Sequence, residues 1–237
     1  HKTVRRQRQM CIRDRGICSV NGEGTIEELI PCNAIAVSGG WTPNVNLWSH
    51  CGGKLLWDGE CGFYKPDPEN TPTGREGKTN MLALGACAGV FSNYDIQDQV
   101  PRKINQLASR LKIKSKRYIE TNVFSKEPEK KTKPIFVLPH GASKDKQKRM
   151  YIDFQNDVKV SDLQLAVQEG FENVEHAKRY TTLGMATDQG KTSNINGVHV
   201  LSQSLGKPVD KIGHTTFRPP YKPCLLYTSP SPRDLWI

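Results

Sequence analysis

The residues with the clearest chemical potential lie in two Gly-Lys-Thr strings, at positions 77–79 and 190–192. A phosphate-binding Walker A loop needs four residues between its two glycines, so that its backbone N–H groups surround the phosphates. Five residues separate Gly184 from Gly190, and Pro72 stands where the first glycine should precede Gly77. The spacing therefore excludes a Walker A loop at both strings.

The second string still has the chemistry that an anion needs. The backbone N–H groups of Gly190 and Thr192, the Lys191 ammonium and two hydroxyls can surround a phosphate at the start of a helix. The alternative is a capped turn between two helices with an exposed lysine. The residue types alone leave both interpretations open.

Two apolar runs that end in glycine turns form a second candidate site. NAIAVS ends at Gly39 and Gly40, and MLAL ends at GACAG, which contains Gly85 and Gly89. Such runs predict buried strands, and glycines at the carboxyl ends of neighbouring strands let the backbone approach a dinucleotide. The G-x-G-x-x-G fingerprint is missing, so we expect the leading strand of any nucleotide domain to lie upstream.

The other titratable side chains form no recognisable catalytic or metal site. Their spacing supports neither a Ser–His–Asp triad nor a carboxylate pair, and no two cysteines are spaced C-x-x-C. An odd number of cysteines outside the chain ends, without a secretory signal, predicts reduced thiols and a cytoplasmic protein. These cysteines are Cys18, Cys32, Cys51, Cys61 and Cys87.

The net charge of +10 is concentrated in two segments. Residues 1–15 carry six cations against one acid, and residues 112–149 carry twelve cations against four acids. A nucleic-acid-binding protein would instead spread its charge along a helix or groove between aromatic residues, so we expect no nucleic-acid partner. The mean hydropathy of −0.59 and the short apolar runs predict a globular protein without a membrane span.

Composition divides the chain into five parts. Residues 16–114 alternate apolar runs with glycine turns, which predicts an α/β domain, and residues 150–223 predict a small, mainly helical domain. Residues 115–149 are a basic linker with one short strand, PIFVL. Residues 1–15 and 224–237 lack any apolar period and resemble translated sequencing-adapter sequence, so we expect both ends to be non-native.

Local signals predict one helix in residues 16–114. Pro101 suits the first helical position because its missing N–H is not needed there. Ile104, Leu107 and Leu111 then lie on one apolar face.

Three further helices are predicted in residues 150–223. The first is capped by Ser161 and Asp162 and stopped by Gly170, and the second is capped by Asn173 and ended by Gly184. The third covers about residues 196–205. A polar turn, ATDQGKTSN, connects the second helix to the third.

Several longer strings of this chain carry a family resemblance. They are VSGGWTPNVNLWSHCGGKLLWD, GACAG, YIDFQNDVKVSDLQLAVQEGF, VEHAKRYTTLGMATDQGKTSN and TTFRPPYKP. Together they resemble the alpha subunit of heterotetrameric sarcosine oxidase, over about residues 16–223.

That resemblance implies an activity, partners and cofactors. In this family the alpha subunit has an NAD-binding domain, a small helical domain and a tetrahydrofolate-binding domain. A beta subunit holds FAD and the sarcosine site, with FMN at the alpha–beta interface, and gamma and delta subunits complete the complex. Sarcosine is demethylated to glycine with oxygen as acceptor, giving H2O2 and formaldehyde or methylene-tetrahydrofolate. The resemblance implies that this chain is a fragment of the alpha subunit. The fragment would contain no catalytic residue and would lack the folate-binding domain.

The resemblance also implies two sets of cofactor-binding residues. Cys87 stands where related flavoproteins have a flavin-binding aspartate, which fits NAD rather than FAD in residues 16–114. The implied NAD contacts are Gly39, Gly40, Pro43, Gly85, Ala86, Ala88 and Gly89. The implied FMN contacts are Gln189, Gly190, Lys191, Thr192 and Asn194.

Residues 150–223 are also similar to the bacterioferritin-associated ferredoxin type of domain. That domain holds a [2Fe–2S] cluster through four cysteines. Asp153, Gln155, Asp188 and Ser193 occupy the corresponding positions here. Because thiolates are needed to hold such a cluster, the resemblance implies a scaffold with no iron–sulfur cluster and no other metal.

Two other functions stay open at the level of sequence. The first is the alpha subunit of a related flavin-dependent dehydrogenase acting on proline, opines or dimethylglycine, although members with a cluster would keep the cysteines. The second is a non-enzymatic protein that binds a partner through its basic linker, for which steep salt dependence of DNA binding would be the sign. We also expect poor solubility, since a missing central strand would expose a sheet edge.

Overall fold

Two groups of helices and strands follow one another along the chain. The computed structural model describes residues 14–17, 28–31, 33–34, 40–74, 77, 81–113, 134, 136 and 143–217. We call residues 40–113 the first region and residues 143–217 the second region. In the described residues the strands form three two-stranded antiparallel sheets.

A short hairpin precedes the first region. Strand β1 (Asp14–Ile17) pairs with β2 (Glu28–Pro31), so that Gly16 lies opposite Leu29. The strand predicted at TIEELI is confirmed for its second half, and its first three residues lie outside the described part. Two residues of β1 belong to the end that was predicted to be non-native.

The first region is built from short elements. They are helix α1 (Asn46–His50), strands β3 (Leu55–Asp58) and β4 (Phe63–Pro66), a 3-10 helix (Gly85–Ala88) and helix α2 (Asn93–Leu111). Strands β3 and β4 form a hairpin with Trp57 opposite Tyr64.

The β3–β4 hairpin is closed by Asp58. Its carboxylate accepts hydrogen bonds from the N–H groups of Glu60 and Cys61 at 3.1 Å each, and from the Lys65 ammonium at 2.9 Å. The Lys65 hydrogen bond, more than any other contact, lowers the pKa of Asp58 below its usual value. The charged carboxylate is thus the form that holds the turn.

The prediction of a buried strand at MLAL is wrong. Residues 81–84 have irregular backbone and lead directly into the 3-10 helix, where Gly85 and Gly89 both have positive φ. A short apolar run becomes a strand only beside a hydrogen-bonding neighbour, and no described strand pairs with these residues. The other predicted strand, NAIAVS, falls mainly outside the described residues.

The predicted start of the helix at Pro101 is also wrong. Helix α2 begins eight residues earlier, where the Ser92 hydroxyl accepts a hydrogen bond from the Asp95 N–H at 3.4 Å. Pro101 lies inside the helix and removes one backbone hydrogen bond there. The helix has no buried residue, and Ile104 and Leu111 are about half exposed, so its apolar face contacts little of the described chain.

The second region contains helix α3 (Lys144–Gln147), the hairpin β5 (Tyr151–Asp153) and β6 (Val158–Lys159), and helices α4 (Val160–Gln168), α5 (Val174–Thr181), α6 (Asn194–Leu205) and α7 (Val209–Ile212). Its core is a single apolar cluster in which Leu163, Leu183 and Leu201 are fully buried. This is the main described core of the molecule.

The three predicted helices of the second region are confirmed, with three changes at their ends. Helix α4 begins at Val160, so Ser161 and Asp162 lie inside its first turn, and the Asp162 carboxylate accepts from the Lys159 N–H at 2.8 Å. Asn173 caps α5 by accepting from the Glu175 N–H at 2.8 Å, and Gly206 ends α6 with φ +63°. Helix α5 ends at Thr181, three residues before the predicted stop, because Thr182 adopts the left-handed conformation. Helix α6 begins two residues earlier than predicted.

The sequence did not predict the β5–β6 hairpin. Its strands are too short to show a period, and its turn is organised by a single buried carboxylate, Asp153. Of the strand predicted at PIFVL, only Pro134 and Phe136 are described, and both are irregular. Among the described residues no helix is both long and apolar enough to span a bilayer.

Candidate functional site

The turn between α5 and α6, residues 182–193, is built around two glycines and one asparagine. Gly184 and Gly190 both have positive φ, and a Cβ at either position would overlap the Asn194 side-chain amide. The Asn194 Nδ2 donates to Gln189 O at 3.2 Å. Both glycines are therefore required by backbone conformation and by the close approach of Asn194.

Asp188 shapes the part of this turn that holds the Gly-Lys-Thr string. Its carboxylate accepts from the Gly190 N–H at 3.2 Å and from the Thr192 hydroxyl at 3.4 Å. Two of the candidate phosphate donors thus already have an intramolecular acceptor. The alternative of a capped turn explains these two contacts, and the Lys191 side chain is exposed.

Three of the four positions aligned with cluster-binding cysteines carry side-chain hydrogen bonds. Asp153 is 2% exposed and accepts from the N–H groups of Gln155, Asn156 and Gly184 at 2.9, 3.2 and 2.8 Å. The side-chain oxygen of Gln155, Oε1, accepts hydrogen bonds from the Thr187 hydroxyl and the Asp188 N–H. Polar contacts therefore bring Asp153, Gln155 and Asp188 together across the two turns.

Two polar atoms at the start of α6 are buried without a hydrogen-bond partner in the described structure. They are the Ser193 hydroxyl oxygen, in a fully buried residue, and the Asn194 Oδ1, in a residue 5% exposed. Buried polar atoms are normally paired, so such a pair at a helix start is a feature that a ligand or water can satisfy.

A cavity of about 50 Å³ lies where this helix start meets the β3–β4 hairpin. We call it the junction cavity. Its polar walls come from both regions and from the segment after α7, and its apolar walls are aliphatic side chains and Phe217. The lining residues are Thr42, Pro43, Val45, Leu55, Tyr64, Gly190, Lys191, Asn194, Ile195, Val198, His214, Thr215 and Phe217.

One cationic side chain is among the residues that line the junction cavity. Lys191 is the lining ammonium, and no aspartate or glutamate is among the lining residues. Burial of the ring and, to a lesser extent, the Asp210 carboxylate raise the pKa of Tyr64 well above its usual value. Tyr64 therefore keeps its proton and donates to Gly213 O at 2.7 Å.

The structure brings together only part of the two predicted cofactor sets. Pro43 of the NAD set and Gly190, Lys191 and Asn194 of the FMN set line the same junction cavity. Gln189, with φ +53°, supplies the carbonyl that receives the Asn194 amide, and Thr192 is exposed.

The rest of the NAD set lies elsewhere. Phe63 and Tyr64 are consecutive in β4 and so face opposite sides of the hairpin. The position of a Cβ on Gly89 is 3.1 Å from the Phe63 ring, which places the Gly85–Ala88 turn on the Phe63 side, whereas Pro43 lies with Tyr64 in the cavity. In the described residues, Pro43 and the Gly85–Ala88 turn therefore lie on opposite sides of the hairpin.

The remaining glycines of the NAD set are explained without a ligand. Gly40 is exposed with φ +92°, and a Cβ there would touch nothing, so its backbone conformation alone favours glycine. Gly85 packs against Ile96, and Ala86 is exposed. Gly39 lies outside the described residues. The arrangement shows no cradle for a dinucleotide, and the NAD contacts stay a prediction.

Sequence reasoning missed Tyr64, His214 and Thr215 in the cavity. Tyr64 stands in a four-residue strand whose alternation is too short to assign a face, and the segment after α7 has no periodic pattern.

The comparison with known proteins agrees with the sequence analysis. Residues 147–229 match the family model described as the sarcosine oxidase A3 domain. The chain is 33% identical over 223 residues to the sarcosine oxidase subunit alpha of Rhizobium meliloti (strain 1021), covering 90% of this chain and 21% of that subunit. The predicted resemblance to the sarcosine oxidase alpha subunit is confirmed. The second region thus falls largely within the A3 match.

Other relatives give the same result. The sarcosine oxidase alpha subunits of Corynebacterium sp. strains P-1 and U-96 are 32% and 31% identical, each covering 81% of this chain and 19% of the subunit. The chain therefore spans about a fifth of the length of the curated relatives it matches. A solved L-proline dehydrogenase from P. horikoshii has 19% identity and a TM-score of 0.46, covering 79% of this chain and 37% of that one.

Proposed function

We propose that this chain is part of the alpha subunit of a flavin-dependent oxidase that demethylates sarcosine. The supporting observation is identity of 31–33% over 81–90% of the chain with three sarcosine oxidase alpha subunits. The described residues contain no constellation for amine oxidation, so the proposal puts the reaction in a flavin-bearing beta subunit, with gamma and delta subunits as further partners. It also includes NAD bound by the alpha subunit and FAD in the beta subunit.

The test uses the complete alpha subunit that contains this segment, expressed with its partner subunits. We expect the purified complex to contain flavin and to consume oxygen when sarcosine is added, with H2O2 as product. Formaldehyde release with and without tetrahydrofolate tests whether the missing part of the subunit captures the one-carbon unit. A flavin-loaded complex that oxidises proline or an opine but leaves sarcosine unchanged would contradict the proposed substrate.

We further propose that the junction cavity holds the phosphate end of FMN. The cavity has room for a few water-sized groups, which suits a phosphate and is too small for a flavin ring. Lys191 supplies a positive charge there, and the first turn of α6 lies beside it. FMN would supply electron transfer, while this chain would orient its phosphate and exclude water.

FMN differs from riboflavin by one phosphate group, so comparing the affinities of the two flavins measures the contribution of the phosphate to binding. We expect the full chain to bind FMN at least tenfold more tightly than riboflavin in a fluorescence titration, about 1.4 kcal/mol. Lys191→Ala should remove most of that preference, whereas the matched control Lys144→Ala, at an exposed lysine of α3, should leave it intact. Equal binding of the two flavins, or a preference that survives Lys191→Ala, would contradict a phosphate site in this cavity.

NAD is tested separately, because its predicted contacts lie outside the junction cavity apart from Pro43. If the alpha subunit binds NAD at the Gly85–Ala88 turn, replacing the exposed Ala86 by Arg should weaken NAD binding in calorimetry of the complete subunit. The matched substitution Gly40→Arg should have little effect on NAD binding. The reverse pattern would place the nucleotide on the Tyr64 side of the hairpin.

A further inference from the structure

The side chain of Trp41 is 80% exposed to solvent. The two other tryptophans that the structure describes are engaged with their surroundings. Trp48 is 5% exposed and its Nε1 donates to Lys54 O at 2.9 Å, and the Trp57 ring lies edge-on to Tyr64 with ring centroids 4.9 Å apart. Because tryptophan is highly buried on average, a largely exposed indole is an unusual feature that calls for a function.

Trp41 directly precedes two residues that line the junction cavity. Thr42 is exposed and so lies at the rim of the cavity, whereas Pro43 is buried in its wall. Two residues of fully extended chain span at most about 7 Å, so the Cα atom of Trp41 lies within that distance of the Pro43 Cα atom. The exposed indole is therefore attached beside the cavity rim.

The size of the junction cavity determines which part of a ligand it encloses. A volume of about 50 Å³ suits a phosphate group, whereas pockets that enclose a whole drug-sized ligand measure on the order of 300–1,000 Å³. The cavity is partly open to solvent, so a larger ligand held by its phosphate extends out through the opening. The ring of such a ligand then needs a protein surface outside the cavity.

An exposed indole has the chemistry to provide that surface. Aromatic side chains stack on planar heteroaromatic rings, and one such stack raises affinity by about fivefold to 150-fold. The indole is electron-rich and the flavin ring is electron-poor, so the two attract each other face to face in offset stacking. The sugar-like chain of FMN separates its ring from its phosphate, as the rim separates Trp41 from the interior of the cavity.

We propose that Trp41 is a stacking platform for the ring of a phosphorylated flavin whose phosphate occupies the junction cavity. The proposal rests on the proposed function for the position of the phosphate. It adds a residue that recognises the ring, and thereby distinguishes a phosphorylated flavin from a phosphate compound without a ring.

Ligands with and without a ring test the platform in the full chain. FMN and ribose 5-phosphate both carry a phosphate, but only FMN carries a planar ring. Trp41→Ala should weaken FMN binding about tenfold in calorimetry and leave ribose 5-phosphate binding unchanged. Trp41→Phe should keep most of the FMN affinity, because it keeps an aromatic ring. Leu47→Ala, at an α1 side chain that is 65% exposed, is the matched control and should change neither affinity.

Flavin emission provides a second readout, which a merely structural role of Trp41 would not change. A stacked indole quenches flavin fluorescence, so FMN bound to the parent chain should emit weakly. At saturating protein, FMN bound to Trp41→Ala should emit more strongly. Equal emission from the two complexes would contradict stacking. AMP is a third probe, and a larger loss of affinity for AMP than for FMN in Trp41→Ala would overturn the flavin assignment.

The outcomes separate the platform from the phosphate site. If Lys191→Ala weakens the binding of both phosphate ligands and Trp41→Ala weakens neither, the phosphate site stands and the platform is wrong. If neither FMN nor ribose 5-phosphate binds, both proposals are wrong. If Trp41→Ala leaves FMN binding intact but weakens assembly with the other subunits, the exposed indole is a protein contact and the platform is again wrong.

Discussion

The two regions of this chain differ in where their stabilising contacts come from. In the second region, α4 packs on both α5 and α6, and the three helices bury one apolar cluster. In the first region, α2 is longer than any of them and buries no residue in the described structure. Sequence signals predicted helices well where the packing partners lie nearby in the chain. They failed at the MLAL run, where no described strand provides a partner.

The largest expected difference between the regions concerns their leucine and isoleucine side chains. Leu201→Ala, at a fully buried position, should lower the free energy of unfolding by about 3 kcal/mol because it leaves a cavity. Ile104→Ala, at a position 46% exposed on α2, should cost less than about 0.5 kcal/mol. Urea denaturation followed by circular dichroism measures both. A large effect at Ile104 would show that α2 packs on something within the full chain.

A pair of glycines separates backbone strain from packing. Gly190 and Gly40 both have positive φ, but a Cβ would overlap Asn194 at Gly190 and would touch nothing at Gly40. Gly190→Ala should therefore destabilise the chain by about 2 kcal/mol more than Gly40→Ala, since overpacking adds to the strain. Thermal unfolding of the two variants tests this difference. Equal losses would mean that the turn relaxes around the added methyl group.

The smallest expected effect is the pH dependence of the β3–β4 hairpin. Because the folded-state pKa of Asp58 is lowered, its contribution to stability is present above the unfolded value of about 3.9 and is lost as pH falls through the folded value. The loss should be at most about 1 kcal/mol, since the Lys65 pair is partly exposed and screened. Unfolding monitored by tryptophan fluorescence from pH 6 to pH 3 measures it.

Two variants show whether that pH dependence belongs to the hairpin. Asp58→Asn should flatten the acid limb of the stability profile, and Asp145→Asn, at an exposed aspartate of α3, should leave it as in the parent chain. If both variants behave alike, the acid sensitivity comes from elsewhere in the molecule.

The site was partly predictable for the same reason as the fold. The Gly190 and Lys191 positions were found because a glycine turn before a helix is a local pattern, whereas Asn194 was implied only by the family resemblance. Tyr64 and His214 were missed because they reach the junction cavity from a four-residue strand and from a segment without a period. The residues predicted to contact NAD lie on both sides of the β3–β4 hairpin, because consecutive residues of a strand face opposite sides. Strand β4 was not predicted, so the sequence did not show this division.

The sequence by itself determined α4, α5 and α6 of the second region, the capping by Asn173 and Gly206, the position of the polar turn and the resemblance to the sarcosine oxidase alpha subunit. These features depend on local hydrogen bonding, side-chain period and residue identity, all of which a single sequence displays. The short helices α3 and α7 were not predicted. Only the tertiary structure decided that the β3–β4 hairpin, the start of α6 and residues 213–217 line one cavity. That meeting joins residues up to 167 positions apart, as between His50 and Phe217, and no local pattern encodes such a contact.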